Sequence, residues 1–187
     1  MSHVATVSLS MRVILALATG VLAGGVQAAE SVSTPIQLAI WNPIQISDSE
    51  RSVGGFRYSL LWGVNRDVVG LDLSTFASKA NGDVRGVQSA LFANFVIGSL
   101  KGSQFSLLLN KVNGKFSGLQ LGGLNFASGG ISGVQLGVVG ADTRGGHMRG
   151  VQVGMLGSFA DEATGFQGSI GATKMTRGRG ASSRRLG

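Results

Sequence analysis

Cysteine is absent from this 187-residue chain, which excludes disulfide scaffolds, thiolate metal sites and cysteine nucleophiles. Charged residues make up only 13% of the sequence, where an ordinary soluble domain has about 25%. With 43% hydrophobic residues, the composition also excludes a chain that is disordered throughout. Glycine is the residue in excess, with 31 copies against 2 prolines and no collagen-like G-X-Y period. The glycines therefore indicate some other repeating geometry.

Residues 1–29 have the features of a signal peptide. A basic start at Met11 and Arg12 precedes an apolar stretch over residues 13–22, and small residues follow as far as Ala28 and Ala29. The apolar stretch is shorter than the roughly 20 residues of a membrane span. The ten residues before Met11 do not fit this pattern, so Met11 is an alternative start. We expect an exported protein of the cell surface or outer membrane, with the periplasm as the alternative.

The net charge of +7 comes mainly from the C-terminal end. Five basic residues and no acidic residue follow Glu162: Lys174, Arg177, Arg179, Arg184 and Arg185. Without these and Arg12, the rest of the chain has ten basic and nine acidic residues. This distribution does not resemble a folded nucleic-acid-binding surface. We predict that residues 174–187 form a basic disordered tail, which can contact anionic membrane lipid or surface polysaccharide but not nucleic acid.

A unit of about 16 residues repeats eight times. Its first residue is Gly55, Gly70, Gly86, Gly102, Gly118, Gly133, Gly150 or Gly165. The residue two positions later is always polar, and in six copies it is glutamine. The structural repeat residues are therefore Gly86 and Gln88, Gly102 and Gln104, Gly118 and Gln120, Gly133 and Gln135, Gly150 and Gln152, and Gly165 and Gln167. Large apolar residues alternate with these positions, as in Leu119 and Leu121, Val134 and Leu136, and Val151 and Val153, and this period of two predicts β-strands.

The turn signals favour an antiparallel β-meander. The Asn81-Gly82 and Asn113-Gly114 pairs are strong hairpin signals, and one turn per repeat predicts strands of about 11 to 12 residues. The repeat is also nearly symmetric about its glutamine, since Gly118 mirrors Gly122 across Gln120. Antiparallel neighbours in register have this symmetry. The predicted fold class is therefore all-β.

Eight such strands could close into a barrel, with glutamine and small residues inside and large apolar residues outside, facing lipid or a partner. The alternative is a β-solenoid, in which each repeat is one coil and equivalent residues stack in parallel strands. The solenoid needs a second turn per coil, for which the sequence has no turn signal. The two folds differ at Ile131, which approaches Leu124 in the meander and Phe116 in the solenoid. The predicted domain organisation is a lead-in with one strand (residues 30–54) and a β-repeat domain (residues 55–173).

No catalytic, cofactor-binding or metal-ligating constellation is visible in the sequence. His147 is the only histidine after the predicted cleavage site, and one imidazole makes neither a zinc site nor a catalytic triad. Asp67, Asp72, Asp161 and Glu162 are interpreted as salt-bridged or solvated rather than as paired catalytic acids. We expect a protein without enzymatic activity and without a cofactor.

Three segments resemble a known family. Residues 35–45 (PIQLAIWNPIQ) and 55–73 (GFRYSLLWGVNRDVVGLDL), followed by Gly-Val-Gln-Leu-Gly units, are similar to the bacterial surface-repeat proteins first named from a Leptospira locus. The similarity extends from Pro35 to about Gly171. It implies an exported, surface-associated repeat protein, and it carries over no functional residues because the family has no assigned reaction.

Two functions are consistent with these features. The first is a structural, adhesive or interacting surface protein whose repeats present a regular β-face. The second is a small β-barrel that binds a ligand or lipid inside. Small residues and glutamines in an eight-stranded barrel would leave little internal volume, which favours the first function.

Overall fold

A computed structural model describes residues 33–184 except Pro43 and Ser47, with side chains described as far as Gly180. The predicted signal peptide therefore lies outside the described residues. The described chain contains thirteen β-strands and no helix. The strands are β1 (Thr34–Trp41), β2 (Ile44–Gln45), β3 (Val53–Asn65), β4 (Val68–Ser74), β5 (Ala77–Ala80), β6 (Val84–Ala90), β7 (Ala93–Val96), β8 (Leu100–Phe105), β9 (Leu109–Val112), β10 (Phe116–Ala127), β11 (Ile131–Gly154), β12 (Gly157–Ser169) and β13 (Ala172–Arg184).

These strands form a β-solenoid of about nine turns, in which each sequence repeat is one coil. Residues 100–115 illustrate a coil. Strand β8 carries the repeat glycine, the chain reverses at Leu107 and Leu108, and β9 runs back to the Asn113-Gly114 turn. Strand β10 then begins the next coil directly beside β8, with Gly118 opposite Gly102. We call the segment with the glycine the first strand of a coil, and the returning segment the second. In β3, β10, β11 and β12 both segments belong to one continuous strand.

The all-β class is confirmed, whereas the predicted antiparallel meander is wrong. In the described chain, every pairing between coils is parallel, and only the short β1–β2 pair is antiparallel. Phe116 pairs with Ile131, which is the arrangement expected of the solenoid. The proposed closed barrel is wrong for the same reason.

The symmetry of the repeat misled the prediction because its two small residues have different roles. Gly118 has a φ of 134°, and a Cβ atom there would collide with the carbonyl oxygen of Gly102 in the preceding coil. Gly122 does not have a positive φ and stands where the chain begins to reverse. The second turn was missed because residues such as Leu107 and Leu108, which are not turn formers, make the reversal.

The stack extends beyond the eight predicted repeats at both ends. Strand β1 in the lead-in pairs in parallel with β3 and aligns Gln37 with Arg57, and the lead-in also contains β2. At the other end, β13 pairs with β12 and aligns Gly180 with Gly165. The prediction of a disordered tail is therefore wrong for residues 174–184, which form a further rung. Residues 185–187 lie outside the described part.

The interior of each coil is divided into an apolar and an amide half. Near the Asn-Gly turns, two columns of apolar side chains face each other from the first and second strands and form the core. The larger members are Val68, Val84, Leu100, Phe116, Ile131 and Met148 from the first strands, and Val96 and Val112 from the second strands. Near the opposite reversal, the interior is filled by glutamine and asparagine side chains. This second half requires hydrogen-bond partners for every amide.

Candidate functional site: the outer face of the first strands

The predicted repeat glutamines are inside the solenoid. All six repeat glutamines are fully buried, and the six paired glycines stack in the same strands. The buried glutamines are Gln88, Gln104, Gln120, Gln135, Gln152 and Gln167. None of these side chains is accessible to a ligand from solvent. Their arrangement is that of a structural ladder.

The glutamine ladder is continuous over four coils. The side-chain amide of Gln120 donates to Oε1 of Gln104 at 2.8 Å, and Gln135 donates to Oε1 of Gln120 at the same distance. Gln104 donates in turn to Gln88 at 2.9 Å. Each interior amide thus donates to the coil before it and accepts from the coil after it. This satisfies groups that would otherwise destabilise a buried site by about 1–3 kcal/mol each.

The ladder is interrupted where the spacing between repeat glycines is 17 residues, from Gly133 to Gly150. The hydroxyl of Thr143 lies 3.3 Å from Oε1 of both Gln135 and Gln152 and stands between them. The side-chain amide of Gln152 instead donates to the carbonyl of Phe159 at 2.9 Å. The extra residue between Gly133 and Gly150 therefore breaks the direct glutamine contact.

A second amide ladder, of asparagines, was not predicted from the sequence. Asn94 donates to Oδ1 of Asn110 at 3.0 Å, and Asn110 donates to Oδ1 of Asn125 at 2.9 Å. The same amides donate to carbonyls of the first strand in the next coil, as Asn110 does to Leu121 at 2.6 Å. The spacing of 16 and 15 residues between these asparagines matches the glycine spacing and is the sequence signal for this column.

Two rungs of the first ladder carry charges instead of glutamines. Arg57 and Asp72 occupy equivalent positions in adjacent coils and form a fully buried ion pair. The guanidinium donates from Nε to Asp72 Oδ1 at 2.6 Å and also donates to the carbonyl of Lys79 at 3.1 Å. Ser78 contacts both members of the pair. Asp72 is therefore a structural counter-ion, which is the salt-bridged one of the two alternatives, salt-bridged or solvated.

The outward side chains of the first strands form an apolar surface along the solenoid. One and three residues after each repeat glycine, mostly large apolar side chains point away from the core. Members of these two columns include Leu71, Val87, Leu119, Val134, Val151 and Phe166, and Leu73, Phe105, Leu121, Leu136 and Val153. The predicted inward direction of the glutamines is confirmed, whereas large apolar residues lie on both sides of the strands, since Leu100 and Phe116 belong to the core.

This surface continues around the chain reversal. Within two positions of the small residue, every coil has at least one exposed large apolar residue: Leu60, Leu61, Phe76, Leu91, Phe92, Leu107, Leu108, Leu124, Val138, Val139, Met155, Leu156 and Ile170. Leu107 and Val138 are each 65% exposed. A shallow groove of about 930 Å³ lies between these residues and the first strands. We call the outward columns of the first strands and these reversal residues together the apolar face.

One border of the apolar face is basic. The residue immediately before the repeat glycine is exposed, and it is Arg85, Lys101, Arg149 or Arg179 in four coils. Arg85 and Lys101 are direct neighbours in adjacent strands. Of the eight acidic residues in the described chain, none lies in this column or on the apolar face. We call these four residues the basic column.

The Asn-Gly turn edge, by contrast, uses its acidic residues internally. Asp67 accepts from the backbone N–H of Asp83 at 2.8 Å, and Asp83 accepts from the N–H of Ser99 at 2.8 Å. Partial burial alone would raise the pKa of Asp67. The bond from Asp83, with those from Arg66 and Ser52, outweighs burial and holds the pKa below its ordinary value. These carboxylates join successive coils.

The remaining candidate groups do not form a reactive site. His147 is exposed, with Nε2 at 3.0 Å from the Thr164 hydroxyl and Nδ1 at 3.4 Å from Glu162. Asp161 accepts from the backbone of Gly145 at 2.9 Å. Within the described residues, no group of three or more histidine, aspartate or glutamate side chains is arranged to hold a metal ion.

No helix in the described part of the chain has the length and hydropathy that crossing a membrane would require. Comparison with protein-family models, with curated proteins and with solved structures finds no match to this chain. The resemblance to the bacterial surface-repeat proteins therefore stays a prediction from the sequence.

Proposed function

We propose that this chain is an exported, non-enzymatic protein of the bacterial cell surface or outer membrane, with a structural or interacting role carried by its apolar face. The observation that supports this proposal is the apolar face itself. It presents large exposed side chains in almost every coil and is contiguous along the first strands. A contiguous apolar surface of this extent marks an interaction site on a soluble domain.

The form of the solenoid favours interaction over catalysis or internal ligand binding. Each coil fills its interior with its own apolar and amide side chains. The alternative of a barrel with a ligand inside therefore loses its structural basis, because no barrel is formed. What the repeat offers a partner is a regular outer surface, in which equivalent side chains recur about every 4.8 Å along the stack.

Cell fractionation tests this proposal. The chain, expressed with its own N-terminal segment, should fractionate with the cell envelope, begin at Ala29 or Glu30, and be accessible to protease added to intact cells. A periplasmic marker protein in the same cells controls for leakage. An intact product beginning at Met1 in the cytosol would contradict the proposal.

A further inference from the structure

We infer that the apolar face binds the surface of an anionic lipid bilayer, with the basic column over the headgroups. This inference rests on the proposed function and deepens it by naming the partner. It follows from the apolar face, from the basic column beside it, and from the absence of acidic residues on either.

The composition of the apolar face fits shallow insertion into the boundary of a bilayer. Its most prominent side chains are aliphatic, such as Leu91, Leu107 and Leu156, and each is between 45% and 65% exposed. They lie at the chain reversal. Amphipathic elements of this kind bury their apolar side in the headgroup and acyl boundary, and binding strengthens with the apolar area buried.

The basic column lies where the headgroups would be. Arg85 is two positions before Val87, the first outward apolar residue of its coil, which is about 6.6 Å along an extended strand, and Lys101 is four positions before Phe105, which is about 13 Å. Such a separation places the cations at the rim of the apolar face rather than within it. A Lys or Arg near an anionic leaflet contributes about 1 kcal/mol to binding.

A second copy of this chain fits the same face less well. When two copies pack face to face about a two-fold axis, the basic column of one meets either the basic column or the uncharged reversal of the other. Neither arrangement supplies an acidic partner, since the acidic residues of the described chain lie elsewhere. Complementary charges across an interface give a complex its specificity, and like charges oppose its formation.

Anionic polysaccharides and nucleic acids would also pair with the cations of the basic column, but they would not bury the leucines of the apolar face. Both are anionic or polar polymers whose binding is dominated by charge, and neither covers an aliphatic surface of several coils. The bilayer is the partner that offers anionic groups and hydrocarbon together.

Co-sedimentation with lipid vesicles tests the inference. The exported chain, purified from the envelope of expressing cells, is mixed with vesicles of phosphatidylcholine alone or of equimolar phosphatidylcholine and phosphatidylglycerol. We expect binding to the anionic vesicles, weaker binding to the neutral ones, and a decrease as salt is raised. Dextran sulfate serves as a competing anionic polymer without hydrocarbon. A sample in buffer without lipid tests for self-association of the chain.

Two matched pairs of variants locate the bound surface. Arg85→Gln with Lys101→Gln removes two charges from the basic column, whereas Lys79→Gln with Lys111→Gln removes two from the outer side of the second strands. The first pair should weaken vesicle binding about 25-fold, from about fivefold per cation, and the second pair should have much less effect. Circular dichroism confirms that each variant is folded before binding is measured.

The second comparison concerns the apolar contact. Leu107→Ser lies on the apolar face, and Ile97→Ser changes a residue that is 46% exposed at the opposite turn edge. We expect about a tenfold loss of vesicle binding for Leu107→Ser and little change for Ile97→Ser.

Three outcomes would overturn the inference. The first is an equal loss of vesicle binding in the Arg85/Lys101 and Lys79/Lys111 double variants, and the second is binding to dextran sulfate without binding to anionic vesicles. The third is a stable dimer that Leu107→Ser dissociates and that vesicles do not dissociate. The proposed function is judged separately by the fractionation, which does not depend on vesicle binding.

Discussion

The buried ion pair between Arg57 and Asp72 allows a thermodynamic test of the side-chain ladder. Both residues occupy the position that glutamine has in six later coils, and both are fully buried. Replacing one charge leaves the other without its counter-ion in the interior. Asp72→Gln removes the carboxylate that Arg57 contacts through Nε at 2.6 Å, and Arg57→Gln leaves the carboxylate with Ser78 as its remaining side-chain partner.

The expected magnitudes follow from the cost of an unpaired buried charge. Breaking a buried pair by removing one partner destabilises a protein by about 3–5 kcal/mol. We therefore expect each single variant to lower the free energy of unfolding by about that amount. The double variant, Arg57→Gln with Asp72→Gln, creates two neighbouring glutamines like Gln88 and Gln104. Its free energy of unfolding should lie within about 1.5 kcal/mol of the original chain, because a buried pair replaced as a unit is often nearly neutral.

The assay is equilibrium urea unfolding followed by far-ultraviolet circular dichroism, on the four chains of the double-mutant cycle. The coupling between the two substitutions should be several kcal/mol and favourable. If the double variant loses as much stability as the two single variants added together, the two positions do not belong to one ladder and the reasoning is refuted.

Two further changes test the packing at the reversal and the carboxylate at the turn edge. A Cβ atom at Gly122 would stand 2.6 Å from Nδ2 of Asn110 and 2.9 Å from Oδ1 of Asn125, so Gly122→Leu should lower the free energy of unfolding by about 3 kcal/mol, measured by thermal unfolding. Ser128→Leu, at an exposed turn, should lower it little. Equal losses of stability in the two variants would contradict this account of the packing. The pKa of Asp67 is lower in the folded chain than its ordinary value of 3.8, so its ionised form stabilises the fold above about pH 4, and this contribution is lost as the pH falls through the folded pKa. Asp67→Asn should therefore lower stability by about 1 kcal/mol at neutral pH and by less at pH 2, and a difference that does not depend on pH would contradict the assignment.

The repeat and its side-chain directions could be predicted from the sequence because each has a periodic signal. The glycine spacing fixes the coil length, and the alternation around residues such as Gln120 correctly assigns glutamine to the inside and leucine to the outside. The direction of the neighbouring strand has no such signal. A stack in which Gln120 lies beside Gln104 is compatible with parallel and antiparallel pairing, because the central residue is the same in both.

The second turn and the C-terminal rung were not predicted for related physical reasons. The chain reverses at Leu107 and Leu108 without a residue that requires a positive φ, so the turn has no compositional signature. Strand β13 has a basic, serine- and glycine-rich sequence typical of disorder, but it pairs in parallel with β12 over almost its whole length. Sheet pairing with a preceding coil outweighs local composition there.

The apolar face likewise depends on the parallel stack. The sequence shows that Leu121, Leu136 and Val153 point outward, but only parallel stacking places equivalent residues of successive coils side by side and every basic-column residue at the same border. In an antiparallel meander the border would alternate between the two sides of the sheet from one strand to the next.

Spin labels on exposed residues test the parallel stack most directly. Because the chain has no cysteine, two introduced cysteines are labelled without competition. Ser117 and Ser132 are exposed and directly paired in adjacent coils, whereas the antiparallel meander would pair Ser117 with Val138. We predict strong dipolar broadening for labels at Ser117 and Ser132, whose backbones are about 4.8 Å apart, and weak broadening for labels at Ser117 and Val138. The reverse pattern would contradict the solenoid and the apolar face with its basic column.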